Sequence, residues 1–203
     1  MEKNIYDDKY SFEGFYWGKE PSKSCYKVLK MKPPVEKTKL LVVGCGEGRN
    51  AVFFVRNGYD VTAFDLSKNG IEKTEIYAEE LGLKVKTFTA NINEYRLKED
   101  YDVIFSTGTL HYVPKESRKE LFQNYKDHTK INGLNMFSVF VYKPFIEPAP
   151  EKEETAQKWI SGELMNYYHD WKIEWSIEEI FDCDSGGVPH RHAMNRIAAR
   201  KIL

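Results

Sequence analysis

The stretch Leu40-Leu41-Val42-Val43-Gly44-Cys45-Gly46-Glu47-Gly48-Arg49-Asn50 decides the fold. Four apolar residues without alternation read as a strand buried on both faces. Three glycines at every second position let the backbone pass very close to a ligand. Ala51 to Asn57 follows as a helix closed by Gly58, so the loop amides lie near the positive end of a helix. The spacing discriminates between ligands. A dinucleotide fingerprint, G-x-G-x-x-G, needs its third glycine at position 49, where Arg49 stands. A nicotinamide-dependent oxidoreductase is therefore disfavoured. A phosphate-binding loop fails too, because no Gly-Lys-Ser/Thr follows. The G-x-G-x-G spacing fits S-adenosylmethionine, which has no pyrophosphate.

Working outward, Tyr59 to Phe64 is a second strand ending at Asp65. Ser67 is placed to cap a helix running through Leu81 and stopped by Gly82. Lys84 to Phe88 and Tyr101 to Ser106 are the third and fourth strands. Pro114 precedes a helix from Lys115 to about His128, and Gly133 leads a fifth strand, Leu134 to Tyr142. This alternation implies crossover units and a parallel sheet covered on both faces. The rhythm then changes. Lys143 to Glu154, with Pro144, Pro148 and Pro150, is a loop, and about Gly162 to His169 a helix. Trp171 to Asp182 and Ala193 to Lys201 are strands joined by the turn-rich Cys183 to Pro189, which implies an antiparallel hairpin. Upstream, Pro21 opens a helical stretch ended by Pro33-Pro34. The first 19 residues carry Tyr6, Tyr10, Phe12, Phe15, Tyr16 and Trp17 among charges, the pattern of an arm that packs on something. The expected architecture is a doubly wound, Rossmann-like α/β fold. Its seven-stranded, mostly parallel sheet ends in a C-terminal antiparallel hairpin, with helices on both faces. One domain is expected over 1–203: an arm and helix at 1–34, a cofactor-binding core at 38–142 and a substrate side at 143–203.

Composition excludes several classes. The 203 residues are 41% hydrophobic and 30% charged, with 31 acidic against 30 basic side chains and a formal net charge of -1. No field of one sign is present to hold a polyanion, so nucleic acid is not an expected partner. No apolar run approaches the ~20 residues of a membrane span, and the N-terminus has no apolar leader core. Cys25, Cys45 and Cys183 form no CxxC pair and no zinc spacing, so neither a disulfide framework nor a metal site is expected. The expectation is a cytoplasmic protein, monomer or homodimer.

Ligands of open α/β sheets bind outside the carboxyl ends of the strands. Around the loop residues Gly44, Cys45, Gly46, Gly48, Arg49 and Asn50, that rule gathers Asp65 with Leu66 beside it, Asn91-Ile92 after the third strand, and Ser106-Thr107 ending the fourth. A carboxylate at Asp65 can accept two hydrogen bonds from a ribose diol; the alternative is an acid favoured by a helix N-terminus. Asn91 and Ile92 can read and cover an adenine edge, or form an ordinary turn. Cys45 reads as a small apolar filler, with no base nearby in sequence.

With these residues in view, the chain resembles the class I S-adenosylmethionine-dependent methyltransferases, and within them the TehB-like tellurite-resistance branch. The resemblance rests on Tyr16-Trp17-Gly18, Leu41 to Asn50, Asn57-Gly58-Tyr59-Asp60-Val61, Asp65, Tyr101-Asp102 to Val113, Gly162-Glu163-Leu164, Tyr167-Tyr168 and the close from His190 to Lys201. It implies methyl transfer to a small molecule: a tellurite- or selenite-type oxyanion, a thiol, or a metabolite amine or hydroxyl. S-adenosylhomocysteine would be the product. It also implies that Tyr16 and Trp17 form a lid over the donor, the alternative being core aromatics that anchor the arm, and that His190, Arg191 and His192 meet the acceptor. In a strand His190 and His192 share one face and Arg191 points away. The alternative for this trio is an exposed polar hairpin end. His111 is a further candidate, against a packing role. Two departures stand out. The branch has an acid two positions before the first glycine, where this chain has Val42, and commonly an Asp where Asn91 stands. Val42 keeps open a second reading, a non-catalytic cofactor-binding or regulatory module. The loop after the fourth strand is Ser-Thr-Gly-Thr-Leu rather than Asn/Asp-Pro-Pro-Tyr, which argues against nucleic-acid bases as substrate.

Overall fold

The computed structural model describes residues 5–148, 156–184 and 187–203. Residues 1–4 of the arm, Pro150 with the acidic end of its loop, and Ser185-Gly186 of the hairpin connection lie outside the described residues. The elements are α1 (Ile5–Lys9), α2 (Lys23–Met31), β1 (Lys39–Val43), α3 (Arg49–Arg56), β2 (Asp60–Asp65), α4 (Lys68–Glu80), β3 (Lys86–Thr89), β4 (Tyr101–Thr107), a 3-10 turn (Leu110–Tyr112), α5 (Lys115–Asp127), β5 (Thr129–Val141), α6 (Glu163–Asn166), β6 (Lys172–Cys183) and β7 (His190–Arg200). They build one seven-stranded sheet in the order β3-β2-β1-β4-β5-β7-β6. β1 to β5 pair in parallel, and β7 runs antiparallel between β5 and β6. The expected α/β architecture with its closing hairpin is the observed one.

The apolar strands are buried because helices cover both faces. Alternate residues of one strand feed opposite layers. Leu41 and Val43 pack with Ile104, Phe137, Tyr125 and Trp159. Leu40 and Val42 pack with Val103, Phe105, Phe54 and Cys25. Ser67 caps α4 as the sequence implies, its Oγ accepting from the Gly70 amide at 3.0 Å.

Several boundaries differ from expectation, each for a pairing reason. β5 begins at Thr129, which pairs with Tyr101; Asn132, at φ 61°, and Gly133 sit inside the strand at an irregular register. β7 begins at His190 rather than Ala193, because the ladder with β6 runs to the Cys183–His190 pair. α6 is a single turn, since Tyr168 and Trp171 close successive turns on Met165 and Tyr168 instead of extending it. The arm contains a helix, α1, that its aromatic pattern did not announce.

Parallel strands place their carboxyl ends on one edge: Gly44 after β1, Asp65 ending β2, Thr107 ending β4 and Val141 ending β5. Antiparallel β7 brings its first residues, His190 to His192, to that same edge.

Candidate active site

The glycine loop is held by its own backbone. The amides of Gly44 and Cys45 both donate to the Phe64 carbonyl, at 2.9 and 3.0 Å. Gly44 has φ 68°, and a Cβ there would stand 2.0 Å from Thr109 Oγ1. Only glycine meets both conditions. Asp65 closes the loop from below: its Oδ2 accepts from the Gly46 amide at 2.8 Å and its Oδ1 from the Ser67 amide at 2.9 Å. Burial pushes the Asp65 carboxyl up from its ordinary range, opposed by the amides of Ser67, Gly46 and Leu66. Burial also raises the Cys45 thiol well above the usual range, which fits a filler and not a nucleophile.

The arm lies across this loop. Tyr10 is 4% exposed. A Cβ on Gly46 would meet the Tyr10 hydroxyl at 3.0 Å. The Tyr10 hydroxyl accepts from Trp17 Nε1 at 3.0 Å, and burial beside Asp65 pushes it far up. Asp7 accepts from the Ser67 hydroxyl, and Asn69 Nδ2 donates to the Asp7 carbonyl at 2.8 Å. The Arg49 guanidinium donates to the Trp17 carbonyl at 2.9 Å. Glu47, buried, accepts from the Trp17 amide and pairs with Lys73 at 2.9 Å. Lys73 also donates to the carbonyls of Phe12 and Gly14, at 2.8 and 2.6 Å. Trp17 is 39% exposed, its ring edge-on to Tyr16.

Other expected residues take definite places. Asn50 faces α2 and its approach: its Oδ1 accepts from the Ser22 amide at 2.9 Å and from the Cys25 thiol at 3.2 Å. Asn91 forms a turn in which its Oδ1 accepts from the Asn93 amide at 3.0 Å and its Nδ2 donates to Glu94. Ile92 is buried in the core under it. Ser106 Oγ donates to the Val43 carbonyl at 2.9 Å, and Thr107 Oγ1 accepts from Ser138 at 2.8 Å. Leu66 is half exposed. Val42 is fully packed in β1, so the acid of the resembled branch has no counterpart there.

On the acceptor side, His190 and His192 share one face of β7, their Nε2 atoms 2.9 Å apart. The His190 Nδ1–H donates to the Val188 carbonyl at 2.7 Å. Arg191, registered against Asp182, takes the opposite face, so the trio does not act as one cluster. The His192 ring packs on Phe140, and Phe140 on buried His111. The structure adds Cys183, which pairs with His190 across the hairpin and whose Sγ lies within 4.8 Å of one ring nitrogen of each histidine. Linear spacing hides this cysteine; strand pairing supplies it. Neither the place of Tyr10 over the loop nor the pairing of Glu47 with Lys73 follows from the sequence, where the aromatic density of the arm is the signal that it packs on something.

A glycine loop after β1, an acid ending β2 and this strand order define the fold of the S-adenosylmethionine-dependent methyltransferases. A solved methyltransferase from Methanosarcina mazei shares it, with a TM-score of 0.69 at 18% identity over 91% of this chain and 99% of that one. More narrowly, the chain belongs to the tellurite resistance protein TehB family, whose model matches residues 2–195. It is similar to a Haemophilus influenzae protein named a probable S-adenosyl-L-methionine-dependent methyltransferase TehB, with 30% identity over 167 residues, 80% of this chain and 57% of that protein. The crystal structure of TehB from Haemophilus influenzae superposes with a TM-score of 0.79 at 27% identity, covering 89% of this chain and 62% of that one. The chain thus spans little more than half the length of these relatives. No described helix is long and apolar enough to cross a membrane.

Proposed function

We propose that this protein transfers the methyl group of S-adenosylmethionine to a small-molecule acceptor, with the arm at 5–19 as a lid over the donor. The observation that carries the reading is Asp65: a buried carboxylate at the end of β2, oriented by the Gly46 amide directly under Tyr10. A carboxylate has about four acceptor positions. Three backbone amides are aimed at this one, which leaves room for a ribose hydroxyl. The donor would bring a methyl group already activated on a sulfonium. The chain's task is then to place the acceptor in line and exclude water. Tyr10, Trp17 and the Glu47–Lys73 pair serve the exclusion. His190 and His192 serve the acceptor, as hydrogen-bonding groups able to hold an anion or take a proton.

Membership of the tellurite-resistance family supports a tellurite- or selenite-type oxyanion as the first acceptor to test, with thiols and metabolite amines and hydroxyls in the same panel. Calorimetric titration with S-adenosylhomocysteine and with NAD tests the donor; binding of NAD alone overturns the reading. For the acceptor, His190→Ala and His192→Ala should lower turnover at least tenfold with nearly unchanged S-adenosylhomocysteine affinity. Arg191→Ala should do less, since its side chain takes the other face. Unchanged turnover in both histidine variants refutes the acceptor role. The packed Val42 supports a second reading, a binding module without catalysis. That reading predicts cofactor binding and no methyl transfer to any panel member.

A further inference from the structure

We propose that Cys183, His190 and His192 form a binding site for a divalent transition metal, zinc being the ion that suits it best. The argument starts from the ladder. Cys183 is registered opposite His190, and Phe181 opposite His192. Directly opposed residues project to the same face of a sheet, and residues two apart in one strand share a face. The hairpin therefore directs one thiol and two imidazoles to one side, while Asp182 and Arg191 go to the other. The three potential ligand atoms all lie within 4.8 Å of one another.

The two Nε2 atoms stand 2.9 Å apart. With metal–nitrogen bonds of 2.0–2.1 Å and tetrahedral angles, two bound nitrogens stand about 3.3 Å apart. A shift of a few tenths of an ångström converts the pair into a chelate once His192, whose Nε2–H donates in this hydrogen bond, carries its proton on Nδ1 instead. The tautomer is already right on one side. A carbonyl oxygen only accepts, so His190 carries its proton on Nδ1, against Val188, and in the neutral ring Nε2 is the free-electron-pair nitrogen. Metal-bound histidines are commonly oriented in this way, the other ring N–H donating to a carboxylate, a carbonyl or water. Phe140 and Phe181 pack against His192, with ring centres 4.7 and 5.8 Å away, and supply an apolar wall. One thiolate and two imidazoles suit zinc or copper rather than magnesium or calcium. All three side chains are partly exposed, so an ion can enter. Three protein ligands leave a fourth position open. That this position faces the methyl acceptor, and would take a soft anion or a thiolate, rests on the methyl-transfer reading, with the ion in place of the bare imidazoles meeting the acceptor; the metal site itself does not.

The test uses the full chain, stripped with a chelator and titrated with cobalt(II), then with zinc against a chromophoric competitor. The expected result is one metal per chain, a thiolate-to-cobalt charge-transfer band, and its loss on adding zinc. Cys183→Ser should abolish the band, and His190→Ala and His192→Asn should each weaken zinc binding at least tenfold. Far-ultraviolet circular dichroism on each variant separates lost ligands from lost fold, and the two histidine variants decide the matter if Cys183→Ser does not fold. S-adenosylhomocysteine binding, measured in parallel, tests the methyl-transfer reading separately. The proposal is overturned if the wild type binds no stoichiometric metal, or if Cys183→Ser keeps the band, or if both histidine variants keep wild-type affinity.

Discussion

Replacing Lys73 by methionine should release the arm. Lys73 projects from α4, and its ammonium is the point where three segments meet. It pairs with Glu47 in the glycine loop at 2.9 Å and donates to the Phe12 and Gly14 carbonyls of the arm at 2.8 and 2.6 Å. Glu47 is 2% exposed and Lys73 19%. Methionine keeps the length of the stem but leaves the carboxylate buried with, among the described residues, only the Trp17 amide, 3.3 Å away. Breaking a buried pair by removing one partner costs about 3–5 kcal/mol. The residual exposure of Lys73 argues for the low end, about 3 kcal/mol, or roughly a hundredfold in an equilibrium constant. Because two of the three lost contacts are to the arm, the arm should open before the sheet unfolds. Hydrogen exchange at the amides of Tyr10 and Gly18, which close arm turns on Tyr6 and Phe15, should speed up by about that factor. S-adenosylhomocysteine should also dissociate faster. Adding Glu47→Gln removes the stranded charge, so the double variant should recover much of the loss. A single variant within about 0.5 kcal/mol of wild type by urea denaturation, with unchanged exchange, or a double variant showing the plain sum of two losses, refutes the anchoring argument.

Asp65→Asn should weaken S-adenosylhomocysteine about 10- to 100-fold, the cost of a charge-assisted hydrogen bond of about 1.5–3 kcal/mol, as read by calorimetry. Burial raises the Asp65 carboxyl in the folded state, so its contribution to stability is full below the unfolded value of about 3.9 and is lost as pH rises through the folded value. The same variant should flatten that part of the pH–stability curve measured in urea. Glu178 behaves oppositely: hydrogen bonds from Lys143, then Ser161 and Asn195, hold it at about 2 against an ordinary 4.5. Its contribution is present above 4.5 and lost as pH falls through about 2, so the stability gap between wild type and Glu178→Gln should close over that range and stay constant at neutral pH. Gly44→Ala should destabilise by about 3 kcal/mol, an overpacking cost plus a left-handed backbone cost, because its Cβ would sit 2.0 Å from Thr109 Oγ1; a shift in thermal midpoint below about 2 °C contradicts this.

The parallel half of the fold was legible because β1 is an unbroken apolar run, β4 carries another from Val103 to Phe105, and the turns carry their own chemistry, as at Ser67 and Gly58. What failed was local extent. α6 stops after one turn because Tyr168 is drawn into the core, where its hydroxyl accepts from Asn135 Nδ2 at 3.0 Å. β5 starts early because Thr129 finds Tyr101, a partner no window of sequence contains. The site divides in the same way. Gly44 and Asp65 follow from the strand–loop–strand pattern. Arg49 and Asn50 carry the right motif, yet their side chains bond to Trp17 and to Ser22 and Cys25 of the N-terminal segments. Cys183 needed the hairpin register, and Tyr10 needed the path of the arm; neither is written in local spacing.

The arm and the hairpin belong to one continuous surface. The Tyr6 hydroxyl of α1 hydrogen-bonds that of Tyr112 at 2.7 Å, and the Tyr112 ring leans on His111, 4.1 Å away. His111 meets Phe140 edge-on at 5.2 Å, and Phe140 carries His192 at 4.7 Å. The 3-10 turn after β4 is therefore the joint between the segment that covers the glycine loop and the strand that bears the histidines. Such a path is contact, and becomes coupling only if it has two arrangements. The hydroxyl pair provides a place for that choice. It is a polar link in this aromatic series, and it ties α1 to the 3-10 turn. An arm that lifts must break it. The buried Glu47–Lys73 pair and this hydrogen bond then hold the same arm at two places, the first at the glycine loop and the second at the turn beside His111.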